Sequence, residues 1–174
     1  MDIEKLGPKA AINALKVIKS GGVVIFPTDT VYGFIARADS KKAVEKIFKI
    51  KKRLKTKPLA VFVKDIKMVK DLAEVSRGQI KIIKKYWPGK YTFVLKSKIK
   101  NKLITKNNTI AVRIPDYKYL NILLKKLNKP LVQTSVNISG QSNLSKISDI
   151  IKKFNNLDVL VVDGGNLKKS KPSK

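Results

Sequence analysis

The stretch VVIFPTDTVYGF, residues 23–34, decides how this chain is read. Val23 to Phe26 is an unbroken apolar run, as in a strand buried on both faces. Pro27 stops the run, and Thr28, Asp29, Thr30, Tyr32 and Gly33 crowd the exit. A turn needs little more than Pro, Asp and Gly. Two threonines and a tyrosine beyond that are groups suited to holding something. Comparable clusters close two later apolar runs: TSVNISG after residue 133 and VDGG after residue 161. Open α/β sheets bind ligands at strand ends. Strand ends must also turn, and turns favour the same residue types, so any one cluster alone reads equally well as a bend.

Working outward, Pro8 to Ser20 reads as a helix, with Pro8 in its first turn and Gly21-Gly22 ending it. A strand over 22–26 follows. Ser40 reads as the N-cap of a helix carrying Val44, Ile47 and Phe48. PLAVFV, 58–63, reads as a strand, and 65–73 and 76–86 as short helices, the second stopped by Trp87-Pro88-Gly89. Strands over 91–96, 109–115, 130–135 and 157–165 enclose a basic loop at 101–108, a helix over 117–127 and a helix capped by Ser148 and ending at Phe154. Strands alternate with helices, with strand–strand succession in the middle. The expected fold is α/β (α+β): an open, twisted, mixed sheet flanked by helices. Residues 1–174 read as one domain without internal repeats, with a basic tail at 166–174.

Composition narrows the chemistry. With 174 residues, 43% of them hydrophobic, the chain is long enough for a real core. It has no Cys and no His, which excludes thiol nucleophiles, disulfides, Ser–His triads and the commonest zinc ligand. No apolar run approaches the roughly 20 residues that span a bilayer, and MDIEKLGPK is charged from the start, so a soluble cytoplasmic protein without a membrane partner is expected. The net charge is +27, which suggests polyanionic partners. Lysine outnumbers arginine 35 to 4, however. Nucleic-acid readers lean on the arginine fork, and abundant Lys, Ile and Asn suit a genome rich in A and T. Each of the four arginines therefore carries more information than any lysine.

Two places stand out. KIKKRLKTKPL, 49–59, with Lys46 one turn earlier, gathers seven positive residues. They read either as a solvated basic edge favouring a helix C-terminus or as a phosphate clamp. Lys51 and Arg53 would diverge on a helix and converge only if the helix has already ended. Arg113, inside TIAVRIP, is costly to bury unless paired. It is either salt-bridged to one of the chain's twelve acids or a fork for a substrate carboxylate or phosphate. There is no G-x-x-x-x-G-K-[ST] and no G-x-G-x-x-G, so nucleotide binding would use another architecture.

Taken in order, five segments resemble the motifs of the YrdC family, the threonylcarbamoyl-AMP synthases. FPTDTVYGF resembles P-T-[DE]-T-x-Y-G-L, and KIKKRLKTKPL resembles K-x-R-x-x-x-x-P-L. YWPGKYTFVL is similar to W-P-G-x-x-T-x-V-L, TIAVRIP to T-[VI]-A-V-R-x-P, and TSVNISG to [ST]-S-A-N-x-S-G. The resemblance covers nearly the whole chain. It implies a YrdC-like sheet with a wide positive concave face, and a nucleotidyltransferase reaction. L-threonine, bicarbonate and ATP (with Mg2+) give threonylcarbamoyl-AMP and pyrophosphate, the first step of threonylcarbamoyl-adenosine modification of tRNA. It implies downstream threonylcarbamoyl-transferase proteins as partners.

By the same resemblance, Thr30, Arg113, Ser135 and Ser173 would bind threonine. Lys51 and Arg53 would bind the triphosphate and offset charge in the transition state. Lys57, Thr109, Asn137, Ser139 and Ser145 would complete the ATP site. The chain departs from the pattern at Phe34, Leu54, Lys57 and Val136, and at SKPSK, where the family continues into a further strand that is expected to be missing here. Two rivals remain: a non-catalytic module binding tRNA or double-stranded RNA through the basic concave face, and a carbamoyl-handling domain cut from a larger enzyme.

Overall fold

The computed structural model describes residues 1–167. Among these, ten strands form one mixed sheet. In chain order the elements are β1 (Asp2–Lys5), α1 (Pro8–Lys19), β2 (Val24–Phe26), β3 (Gly33–Arg37), α2 (Lys41–Lys51), β4 (Ala60–Phe62), α3 (Ile66–Leu72), β5 (Ala73–Glu74), α4 (Arg77–Ile83), β6 (Phe93–Ser97), β7 (Thr105–Lys106), β8 (Thr109–Arg113), α5 (Lys118–Leu127), β9 (Leu131–Ser135), α6 (Ile147–Phe154) and β10 (Leu160–Asp163). The sheet order is β1-β10-β2-β3-β9-β4-β8-β6-β5, with β7 also paired to β8. The pairs β1·β10, β10·β2 and β4·β8 are parallel and the others antiparallel. No helix of the described residues is long and apolar enough to cross a membrane.

Side chains alternate across the sheet and build two cores. Val24, Phe26, Ile35, Phe62, Leu131, Leu160 and Val162 pack with Ala10, Ala14 and Ile18 of α1 and Leu120, Leu123 and Leu124 of α5. Ile25, Phe34, Ala36, Val61, Val132 and Val161 pack on the other face with α2 and α6. Each fully buried Leu, Ile or Phe contributes about 1.5–3 kcal/mol relative to exposure. Part of the first face is left uncovered. The pairings Val61 with Val112 and Ala60 with Gln133 set Ala111, Ala60 and Gln133 side by side there, all only half-buried.

Several boundaries differ from the sequence reading, for local reasons. Residues 2–5 and 33–37 are strands that it left unassigned. DIEK lies largely exposed on the sheet's edge and lacks the apolar alternation that betrays a strand. GFIAR is hidden behind the polar cluster that precedes it. Ser40 does cap α2, accepting from Ala43 N. Ser148 does not cap α6: that helix starts two residues earlier than such a cap implies, at Ile147 after Lys146. The strand expected over 157–165 is regular only over 160–163, and the helix expected over 76–86 only over 77–83. Residues 168–174 of the basic tail lie outside the described residues, and so does the expected absence of a final strand.

Candidate active site

Residues 27–32 form the loop of the β2–β3 hairpin, where Phe26 pairs with Gly33. Loops ordinarily run on the surface because their backbone must be satisfied. Here Pro27, Thr28, Thr30, Val31 and Tyr32 are buried, so side chains do the satisfying. Thr28 Oγ1 donates to Val31 O at 2.7 Å and accepts from Thr30 N at 3.1 Å. Thr28 has one hydroxyl proton, and a carbonyl can only accept. The 3.0 Å contact between the two threonine hydroxyls is therefore donated by Thr30. Tyr32 holds neighbouring chain: its hydroxyl donates to Gly165 O at 2.7 Å and accepts from Gly164 N at 2.9 Å. Burial pushes the phenol up to about 12. Gly164 is needed for this approach, since a Cβ there would meet Pro27 Cγ at 2.9 Å. The VDGG cluster is thus bolted to the PTDTVYG cluster.

Arg113, at the end of β8, is 1% exposed and joins these parts. Its Nε donates to Gly89 O at 2.8 Å, one NH to Thr30 Oγ1 at 3.3 Å, and the other to Asp29 Oδ1 at 2.5 Å. Asp29 Oδ2 accepts from Asp116 N at 3.2 Å. The Phe62 ring lies 5.6 Å from the guanidinium carbon, within cation–π range. Gly89 is held against the preceding turn, where a Cβ would meet Tyr86 O at 2.7 Å. Burial lowers the Arg113 pKa and Asp29 opposes that shift. Of the two sequence readings of Arg113, the structure shows the salt bridge, and Arg113 itself lines neither of the cavities described below. It is salt-bridged to one of the few acids, and its Thr30 partner lines a cavity.

Helix α2 ends at Lys51, and Lys52 takes the left-handed conformation, φ 49°. That break lets Lys51 and Arg53 face one cavity despite their spacing. Lys51 is 2% exposed. Its Nζ donates to Ser135 O at 2.5 Å, Asn137 O at 3.0 Å and Asn137 Oδ1 at 2.5 Å. Loss of water, with Arg53 nearby, pulls its pKa down to about 8. Ser135 Oγ in turn donates to Asn137 Oδ1 at 3.0 Å. Arg53 is half-buried and donates to Lys57 O at 2.7 Å and Pro58 O at 3.1 Å. The basic run is not one uniform clamp. Lys46 pairs with Asp158 and Lys55 with Glu45, while Lys52, Arg53 and Lys57 line the cavity.

Two adjoining cavities result. One, of about 210 Å3, is lined by Thr30, Val31, Arg53, Ala60, Ala111 and Gln133–Ser135, among others. The second, of about 400 Å3, is lined by Lys51, Arg53, Lys57, Ser135, Asn137 and Ser139, among others. Arg53 and Ser135 belong to both walls. Thr109 and Ser145 line neither. Thr109 donates to Lys106 O two residues before Ala111 on the same face of β8, and Ser145 O accepts from Leu167 N. Ser173 lies outside the described residues. Sequence reasoning passed over Asp29, Gln133 and Thr134. Asp29 had a signal, being one of twelve acids in a strongly basic chain and lying between two buried threonines.

A resident magnesium finds no fitting donor set. The lining residues of both cavities include no carboxylate. Both oxygens of nearby Asp29 are engaged, and no group of three or more metal-binding side chains occurs among the described residues.

A family model named Sua5_yciO_yrdC, described as telomere recombination, matches residues 16–174. A Methanocaldococcus jannaschii protein, named provisionally as a threonylcarbamoyl-AMP synthase, is 38% identical over 159 residues, covering 91% of this chain and 75% of the relative. A Bacillus subtilis protein named threonylcarbamoyl-AMP synthase is 31% identical over 156 residues, covering 87% of this chain and 45% of its own length. The crystal structure of Pyrococcus abyssi Sua5 with L-threonine superposes with a TM-score of 0.87 at 28% identity, over 99% of this chain and 52% of that one. The chain thus spans about half the length of these last two relatives.

Proposed function

The chain belongs to the Sua5/YciO/YrdC family, and from that premise we propose that it is a threonylcarbamoyl-AMP synthase. Its substrates are L-threonine, bicarbonate and ATP, and its products are threonylcarbamoyl-AMP, pyrophosphate and water. One observation carries this reading: a small polar cavity and a larger basic one share the walls Arg53 and Ser135. An amino acid and a nucleotide seated in the two would meet at that shared wall.

Threonine takes the smaller cavity, against Thr30 and Ser135, with the Arg113 charge directly behind Thr30. Its amine combines with bicarbonate to give a carbamate and water. A carbamate oxygen then attacks the α-phosphorus, forming a new P–O bond as the bond to pyrophosphate breaks. Neither step needs a histidine. Fixing two reactants in line removes much of an entropic barrier, and cations stabilise charge developing on phosphoryl oxygens. Arg53 and Lys57 supply cations at the cavity wall. Lys51 holds Ser135 and Asn137 in place from below. Magnesium arrives on the nucleotide's own phosphates. Thr109 flanks the same open strip of sheet, two residues from Ala111 of the smaller cavity.

The test is to mix protein, ATP, magnesium, bicarbonate and threonine and to measure pyrophosphate. Release that requires both threonine and bicarbonate is expected. Pyrophosphate release equal with and without threonine would remove the reading.

A further inference from the structure

We infer that Asp29 is a positioning residue for the amino-acid end of this site, acting through Arg113 and Thr30. The inference rests on the proposed synthase reading and assigns a role to a residue outside both cavity walls. The threonines beside it carry hydroxyls, and it carries the loop's charge. Its side chain is 9% exposed and Arg113 is 1% exposed, so the pair is shielded from water and from salt. A guanidinium can turn about its last bonds unless a planar partner fixes it. Asp29 is that partner: it holds one NH of Arg113 at 2.5 Å, while Gly89 O holds Nε.

With those two atoms fixed, the remaining nitrogen is aimed at Thr30 Oγ1, 3.3 Å away. Thr30 in turn sends its proton to Thr28, whose own proton is committed to Val31 O. The carboxylate thus fixes the orientation of the guanidinium that heads a chain of hydrogen bonds ending on the cavity wall at Val31 O. Its second oxygen, on Asp116 N, ties the segment after β8 to the same loop. Among the described residues the Asp29 carboxylate pairs with Arg113 and Asp116 N and with no lysine, in a chain of 35 lysines. Asp29 therefore belongs to Arg113 and not to the general basic surface.

The test compares wild type, Asp29→Asn and Asp29→Glu in threonine-dependent pyrophosphate release, varying threonine and ATP separately. Asp29→Asn keeps the shape and one acceptor but loses the charge. It is expected to raise the KM for threonine about tenfold, the loss of one charge-assisted bond, with kcat and the KM for ATP within about twofold. Asp29→Glu keeps the charge and is expected to recover part of that loss. Ser76→Ala, which removes the remote capping box of α4, serves as a stability control: it lowers Tm and leaves the threonine KM alone. An unchanged threonine KM in Asp29→Asn, an equal rise in both KM values, or the absence of a cooperative unfolding transition in that variant would each overturn the inference. Inactive wild-type protein would instead overturn the synthase reading itself.

Discussion

The two ends of the site are built on opposite physical plans. Around Arg113, polar groups are buried and mutually satisfied: Asp29, Thr28, Thr30 and Gly89 O each meet a partner. Around Arg53, the chain from Lys52 to Lys57 is mostly exposed, and Leu54 stands 67% open to solvent. The first end is pre-organised and lowers the cost of ordering a small ligand. The second is a loose ring of cations, adequate for a flexible triphosphate that brings its own charge. On the proposed reading a small amino acid, which offers few contacts, takes the cavity that is built in advance.

The sharpest way to break this contrast is Arg113→Ala. Removing one partner of a buried ion pair leaves the other charge uncompensated, which costs about 3–5 kcal/mol. Threonine-dependent pyrophosphate release should vanish, and denaturant unfolding should shift to a much lower midpoint. A variant of wild-type stability would show that the amino-acid end is not built around this pair. Arg53→Ala should behave in the opposite way. Its loss leaves two backbone oxygens that nearby water can satisfy, so Tm should hardly move. The kcat/KM for ATP should fall by about 10- to 100-fold, the worth of a hydrogen bond to a charged group. Unchanged ATP kinetics would take Arg53 out of the nucleotide's reach.

A smaller effect separates the two ends by pH. Burial holds Lys51 at about 8, below the ordinary lysine range. Between that value and about 10.4, the unfolded chain keeps a proton that the folded chain has released. Stability from this group therefore rises with pH across that window and is smallest below it. Lys51→Met should abolish the rise. Urea midpoints for wild type and variant, compared at pH 7.5 and pH 9.5, measure it, and parallel curves would refute it.

Much of the fold was legible because apolar runs and turn residues repeat on a simple period. The run 23–26, the helix ending at Gly21-Gly22 and the Ser40 cap follow from local chemistry alone. β1 escaped because its partner β10 is distant, and β3 because, although it pairs with nearby β2 as well as distant β9, the polar cluster before it reads as a loop. The site was legible as residue types: Thr30, Arg53 and Ser135 do share a cavity. What the residues do to one another was not legible. Arg113 could be seen to need an acid, but choosing Asp29 over the others requires the hairpin that brings residues 29 and 113 together. Likewise, Lys51 and Arg53 looked alike in sequence, and only the left-handed Lys52 sends one inward and leaves the other at the rim.

The Tyr32 phenol, clasped by Gly164 and Gly165, makes the exit of β10 a lever arm. A displacement of Gly164 and Gly165 is passed through that hydroxyl to the hairpin that carries Asp29 and Thr30, while Asn166 and Leu167 beyond them are tied separately to Ile147 N and Ser145 O.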